Sequence, residues 1–163
     1  VDVFLHVTPV ATHTLVQEHG RKTAPVITEG FVAMYEVQEQ ARPYGKEIFN
    51  IRYQRPKLLV DRQNVIEIPE RIGSKGEVVR EIDLNVTRAR LETLKTENVS
   101  GVAICLLFSF INPGHERAVC RIAEEVLPGV QVTLSSEICP FIREYYRLSN
   151  TYIKAQHIRN MDR

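Results

Sequence analysis

The stretch GVAICLLFSF, residues 101–110, is apolar at nearly every position, and a helix pattern, NPGHERAVCRIAEEVL (112–127), follows it at once. A strand with one wet face alternates apolar and polar residues, whereas a strand covered on both faces does not. Such a run calls for helices above and below a sheet. The helix that follows supplies its own start signals, with Asn112 as cap and Pro113 in the first turn. VQVTLSSEI (130–138) reads as the next strand, and FIREYYRLSNTYIKAQHIRNM (141–161) as closing helical segments. Upstream, a helix is expected over 85–97, capped by Asp83 or Asn85, with Val86, Ala89, Leu91 and Leu94 on the face that lies on the sheet. The second half thus alternates helix and strand, which specifies an α/β fold with a mostly parallel sheet and right-handed crossovers.

The first half is less regular. Residues 3–7 read as a strand and 9–19 as a helix stopped by Gly20; APVIT (24–28) reads as a buried strand. Phe31, Met34, Tyr35 and Val37 fall near helical spacing, so a short helix is expected over 29–40. Residues 41–59 carry an Arg-Pro pair near each end, at 42–43 and 55–56, and read as a long ordered loop, a type of segment that is often functional. NVIEIPERI (64–72) and GEVVREI (76–82) flank a Gly-containing turn and read as an antiparallel hairpin, with Pro69 placing the first strand at an edge.

Composition narrows the function. With 163 residues, 44% of them hydrophobic and 25% charged, the chain suits one globular domain. No apolar run approaches the ~18 residues of a membrane span, and Asp2 and His6 interrupt the first apolar run, so no signal peptide is expected. A net charge of +1 with both signs interspersed, and no finger or RNP-like motif, argues against nucleic acid as a main partner. The three cysteines, Cys105, Cys120 and Cys139, form no C-x-x-C pair and no even framework, which points to a reducing, cytoplasmic setting. The chain has no initiator Met and opens inside a strand-like run, so it is expected to be a piece of something longer.

Three stretches carry chemistry. In HVTPVATHTLV (6–16) a strand runs into a helix start, where Thr8 is a sensible cap and Pro9 fits the first helical position. The stretch is either a plain cap or, because a helix start offers free N–H groups and a positive dipole end, a seat for an anion. In SFINPGHERAV (109–119), His115 and Glu116 lack the second histidine of a zinc hydrolase, since position 119 is Val. Glu116 is therefore expected to complement the helix dipole, and His115 to pack or hydrogen-bond locally. In LSSEICPFIREYYR (134–147), Ser136, Glu137 and Arg143 follow a strand end, which is where open α/β sheets bind ligands. The plainer reading makes Ser136 a helix cap and Arg143 a partner for a nearby carboxylate. No phosphate loop, dinucleotide fingerprint or nucleophile elbow is present.

Taken in order, HVTPVATHTLVQEHG, TAPVITEGF, RPYGKEIF, QRPKLLV, IPERIGSKGEV, CLLFSFINPGHE and LSSEICPFIREYYR resemble the N-terminal region of the hydantoinase A/5-oxoprolinase family over nearly the whole chain. The opening stretch matches the family pattern H-G-T-T-V-A-T-N-A-L-L at His6, Thr8, Val10, Ala11, Thr12 and Leu15, and departs from it at Val7, Pro9 and His13. The matches to T-E-G-F (Thr28–Phe31), R-P (Arg42, Pro43), N-P-x-H-E (Asn112 to Glu116) and L-S-S-E (Leu134–Glu137) are complete.

The resemblance implies part of an actin/sugar-kinase-like ATPase fold. It also implies an ATP-dependent cyclic-amide hydrolase that opens hydantoin or 5-oxoproline rings through phosphorylation of a carbonyl, with ATP and Mg²⁺ as cofactors. On this reading the chain is a single domain, residues 1–163, without the family's first phosphate-binding hairpin, and inactive alone. Its partners would be the remainder of the hydantoinase A chain and a hydantoinase B-type subunit. His6, Thr8, Thr12, Glu29, Arg42, Ser136, Glu137 and Arg143 would line the substrate or nucleotide cleft. The departures at Val7, Pro9 and His13 motivate an alternative, a non-catalytic ligand- or partner-binding module; a third reading is part of an acetone-carboxylase-type subunit.

Overall fold

The computed structural model describes residues 22–37, 49–53, 60 and 62–157. The strand expected at 3–7 and the helix at 9–19 lie outside them, as does most of the 41–59 loop. Four parallel strands form the main sheet: β1 (Thr23–Thr28), β2 (Ile66–Ile68), β5 (Gly101–Cys105) and β6 (Gln131–Leu134), in the order β2-β1-β5-β6. A separate antiparallel pair, β3 (Arg71–Ile72) and β4 (Val78–Arg80), follows β2. The helices are α1 (Val32–Val37), α2 (Leu84–Glu92), α3 (Gly114–Val126), the short α4 (Ser135–Ile138) and α5 (Glu144–His157).

The continuous apolar runs produce a sheet covered on both faces. All six residues of β1 and all five of β5 are buried. On one face Val26, Ile68, Val102 and Ile104 pack with Leu91 of α2 and with Val119, Ile122 and Val126 of α3. On the other face Leu148 of α5 meets Ile27 and Cys105, while Tyr152 and Ala155 meet Ala103. Each fully buried aliphatic side chain contributes about 1.5–3 kcal/mol through removal from water. Pro25 lies in β1 just before the β2 pairing begins at Val26↔Ile66, so its missing N–H removes no registered β1–β2 bond.

Three expected elements end early or divide. The alternating segment 64–72 does not form one arm of a hairpin. Its first part joins β1 in parallel, Pro69 and Glu70 follow, and only Arg71–Ile72 pairs with β4. The strand read over 101–110 stops at Cys105, because the next two amides are taken by side chains: Leu106 N–H donates to Glu116 Oε1 (3.0 Å) and Leu107 N–H to Thr28 Oγ1 (3.0 Å). The apolar character continues because Leu106 and Leu107 stay buried in the turn. The strand read over 130–138 likewise stops at Leu134, and Ser135 opens the single turn of α4. The helix read over 85–97 starts as expected under Asp83, whose carboxylate accepts from the amides of Asn85 and Val86, and continues past Glu92 as a 3₁₀ turn, Thr93–Lys95.

Candidate functional site

Parallel strands all point one way, so the carboxyl ends of β1, β2, β5 and β6 gather at one edge of the sheet. In open α/β sheets this edge is the ligand side. Here it is built on two buried polar clusters.

The first cluster centres on Glu116, in the first turn of α3. Its Oε1 accepts from the Leu106 amide (3.0 Å), the Ser109 hydroxyl (2.8 Å) and the Ser135 hydroxyl (2.6 Å), and its Oε2 accepts from the Ser136 amide (3.0 Å). Arg147 of α5 donates through Nη2 to both serine hydroxyls and lies 3.6 Å from Glu116 Oε1. Its guanidinium carbon also lies 5.3 Å from the centre of the Phe110 ring. Glu116 and Arg147 are both fully buried. A charge in such a place has to be paired and hydrogen-bonded; here both carboxylate oxygens and Arg147 Nη2 are, while Arg147 Nε is buried with no partner among the described residues. The effect is to fix the turns after β5 and β6 against α3 and α5.

The second cluster ties β1 and the antiparallel pair to α3. The Thr28 hydroxyl donates to Glu70 Oε1, and Glu70 Oε2 lies 2.7 Å from His115 Nδ1. Thr28 Oγ1 in turn accepts from the Leu107 amide, so β1, the β2–β3 junction, the turn after β5 and α3 share one chain of contacts. His115 Nε2 points outward, 3.8 Å from the exposed carboxylate of Glu81. His115 packs, as one of the two expected outcomes: it is buried, and its hydrogen bond goes to a residue 45 positions away rather than to a local one. Glu116 was expected to serve as a dipole-complementing residue, and it is the centre of the first cluster.

The residues expected in a cleft are distributed as follows. Glu29, at the end of β1, is ion-paired to Arg90 (2.7 Å) and Arg80 (3.2 Å). The Arg90 hydrogen bond, with a smaller contribution from Arg80, holds its carboxyl below the usual carboxylate range. Ser136 is half-buried and gives its amide to Glu116; Glu137 is exposed. Arg143 is exposed, has a left-handed φ of 86°, and accepts from the Arg147 amide through its carbonyl. Glu29 and Ser136 therefore stand at the ends of β1 and β6, with β5 between them. His6, Thr8, Thr12 and Arg42 lie outside the described residues. The sequence assigns no cleft role to Thr28, Glu70, Ser109, Ser135 or Arg147; the signal for all five is that they lie in the stretches TAPVITEGF, IPERIGSKGEV, CLLFSFINPGHE and LSSEICPFIREYYR.

For an anionic group such as a phosphate, the fitting feature at this edge is Arg71, at the start of β3. Its Nη1 is buried without a hydrogen-bond partner among the described residues, and its guanidinium lies 4.8 Å from the Phe31 ring centre. Among the described residues no group of three His, Cys, Asp or Glu is placed to hold a metal ion. Also among the described residues, no helix is long and apolar enough to cross a membrane.

A family model described as "Hydantoinase/oxoprolinase N-terminal region" matches residues 1–127. The acetophenone carboxylase gamma subunit of Aromatoleum aromaticum is 30% identical, over 99% of this chain and 23% of its own. The 5-oxoprolinase of Saccharomyces cerevisiae is 31% identical, over 83% of this chain and 12% of its own. Among solved structures, the ATP-dependent caprolactamase from Pseudomonas jessenii superposes with a TM-score of 0.86 at 28% identity, over 99% of this chain and 23% of that one. The chain thus spans less than a quarter of the length of these relatives. With the family model covering well over half of its residues, the chain belongs to the hydantoinase/oxoprolinase N-terminal region family.

Proposed function

We propose that this α/β unit is the N-terminal portion of an ATP-dependent cyclic-amide hydrolase, acting within a longer chain and beside a hydantoinase B-type subunit. What supports the reading most is the likeness over 99% of the chain to an ATP-dependent caprolactamase. Bound ATP would supply the phosphoryl group that activates a ring carbonyl. The protein's part in such chemistry is positioning and charge neutralisation. Glu116 and Arg147 hold the turns after β5 and β6, while Thr28, Glu70 and His115 hold those after β1 and β2. Ser136, Glu137, Arg143 and Glu29 stand on the ligand side; His6, Thr8, Thr12 and Arg42, outside the described residues, are the further cleft candidates that the family resemblance supplies. Mg²⁺ would accompany the nucleotide and neutralise charge on its phosphates. The three free cysteines suit the cytoplasm.

The test is calorimetric titration of the folded chain with Mg-ATP, followed by phosphate release with hydantoin, 5-oxoproline or caprolactam when the chain is joined to the rest of its polypeptide. Saturable nucleotide binding and amide-dependent release are expected. A folded sample that binds no nucleotide, alone or joined, overturns the proposal. The likeness to an acetophenone carboxylase subunit favours a second reading, a ketone carboxylase component. Phosphate release that depends on ketone and bicarbonate rather than on a cyclic amide would select it.

A further inference from the structure

Arg71 is a cation whose neighbouring carboxylates are already taken. Glu70, next to it in the chain, gives one carboxylate oxygen to Thr28 and the other to His115. Glu29, the acid at the end of β1, is held by Arg80 and Arg90. Arg71 has no ion pair or hydrogen bond from its guanidinium to any described residue, and its Nη1 is shut off from solvent. An orphaned charged donor of this kind is costly and needs a reason.

Its surroundings supply one. Two aromatic rings lie against the guanidinium, Phe31 at 4.8 Å and Phe108 at 5.9 Å from ring centre to guanidinium carbon. Rings stabilise the cation through its flat faces and leave the N–H donors on its edge unused. Phe108 is held there at a left-handed φ of 54°, its carbonyl accepting from the amides of Ile111 and Asn112. A non-glycine residue kept in that region marks a position fixed by its surroundings. The two rings come from the segments after β1 and β5, and Arg71 from the segment after β2, so three strand ends converge on one guanidinium.

We propose that Arg71 is an oxyanion-binding residue at the carboxyl edge of the sheet, its donor edge taking a carboxylate or phosphate group while Phe31 and Phe108 fix its plane. The assignment rests on reading this edge as the ligand side. A planar fork held by its faces suits two oxygens of one anion, the arrangement in which arginine outperforms lysine. The anion could be a nucleotide phosphate or a substrate carboxylate, and the experiment separates the two.

The full chain, labelled with ¹⁵N, is titrated with inorganic phosphate, acetate, neutral acetamide and chloride at matched ionic strength. The Arg71 Nε–Hε cross-peak, identified by its loss in Arg71→Lys, is followed. Phosphate or acetate is expected to move it saturably, with acetamide and chloride leaving it in place. Phosphate binding more tightly assigns the site to a phosphoryl group; acetate binding more tightly assigns it to a substrate carboxylate. Arg71→Gln, with a wild-type circular dichroism spectrum, is expected to lose about tenfold or more in affinity for the preferred anion. A cross-peak that no anion moves, or that chloride moves equally, overturns the proposal, as does wild-type affinity in Arg71→Gln. Mg-ATP binding with a silent Arg71 overturns this assignment and leaves the nucleotide reading standing. Phosphate at Arg71 without nucleotide binding supports the assignment and sinks the nucleotide reading.

Discussion

The carboxylate of Glu116 and the guanidinium of Arg147 lie 3.6 Å apart, and neither side chain has any exposure to solvent. One comes from the first turn of α3 and the other from the first turn of α5, so the pair joins the helix layers on opposite faces of the sheet across the ends of β5 and β6. Breaking such a pair from one side is far more damaging than its net contribution suggests, because the surviving charge stays buried. Glu116→Gln keeps the shape and removes the charge. It also turns an amide toward the Ser136 N–H, placing one donor against another. The expected loss is about 3–5 kcal/mol of unfolding free energy. Denaturant unfolding measures it. In a cycle with Arg147→Met the double variant should lose less than the two single losses combined, by about 1–3 kcal/mol. Simple additivity would mean that the two charges do not interact in solution.

His115 offers a test with its own control. Its two ring nitrogens face carboxylates of opposite character, since Glu70 is buried and Glu81 is exposed. His115→Leu leaves one oxygen of Glu70 unpaired inside the protein, and a loss of about 1–3 kcal/mol is expected. Glu81→Gln removes an exposed charge 3.8 Å away and should fall within about 0.5 kcal/mol of wild type. Equal effects from the two variants would show that the buried contact carries nothing special.

The Glu29 pairing has a definite pH sign. Its carboxyl is held below the usual carboxylate range, chiefly by the Arg90 hydrogen bond and to a smaller extent by Arg80. A carboxyl lowered in the folded state contributes stability above its unfolded pKa, and loses that contribution as pH falls through the folded value. Arg90→Gln should therefore move the Glu29 midpoint upward in a ¹³C carboxyl titration, while Arg88→Gln, whose partner is Glu125, should leave it in place. An unmoved midpoint in Arg90→Gln would mean that the pairing is not populated.

The layers of the fold were legible because apolar runs and helix periodicity report burial directly. GVAICLLFSF announced a doubly covered strand, and α2, α3 and α5 follow the expected segments. Strand ends were not legible, because they are set by side chains distant in sequence. Nothing near Leu106 indicates that its amide will be taken by Glu116, or that Thr28, 79 residues before Leu107, will take the next one. The same limit hid the site's scaffold. A Glu at a helix start is usually solvated, and only the approach of Arg147 and two serines shows that this one is buried. Arg71 belongs to the IPERIGSKGEV stretch, yet its role stayed hidden for a related reason: an arginine in an alternating strand reads as its wet face until the rings of Phe31 and Phe108 are seen against it.

The thiols give a readout of how firmly the two faces of the sheet are covered. Burial raises the Cys105 thiol to about 12. Burial, then the nearby Glu124 carboxylate, raises Cys120 to about 11. At pH 8 a thiol near 11 is ionised at roughly one part in a thousand, against about a quarter for an unperturbed cysteine. Its thiolate is the stronger nucleophile, which offsets part of that deficit. Together these place Cys120 roughly 10–20-fold slower than a free thiol toward a disulfide reagent. Cys105 lies under Leu148 of α5, and Cys139, also buried, accepts from the Asn150 side chain of the same helix. Both should react only through opening of the structure, at a rate that denaturant raises. Timed labelling with mass spectrometry of the peptides reads all three thiols at once. Cys105 and Cys139 labelling as fast as Cys120 in native buffer would show that α5 leaves the sheet readily, and with it the Arg147 end of the charge pair that holds β5 and β6 in place.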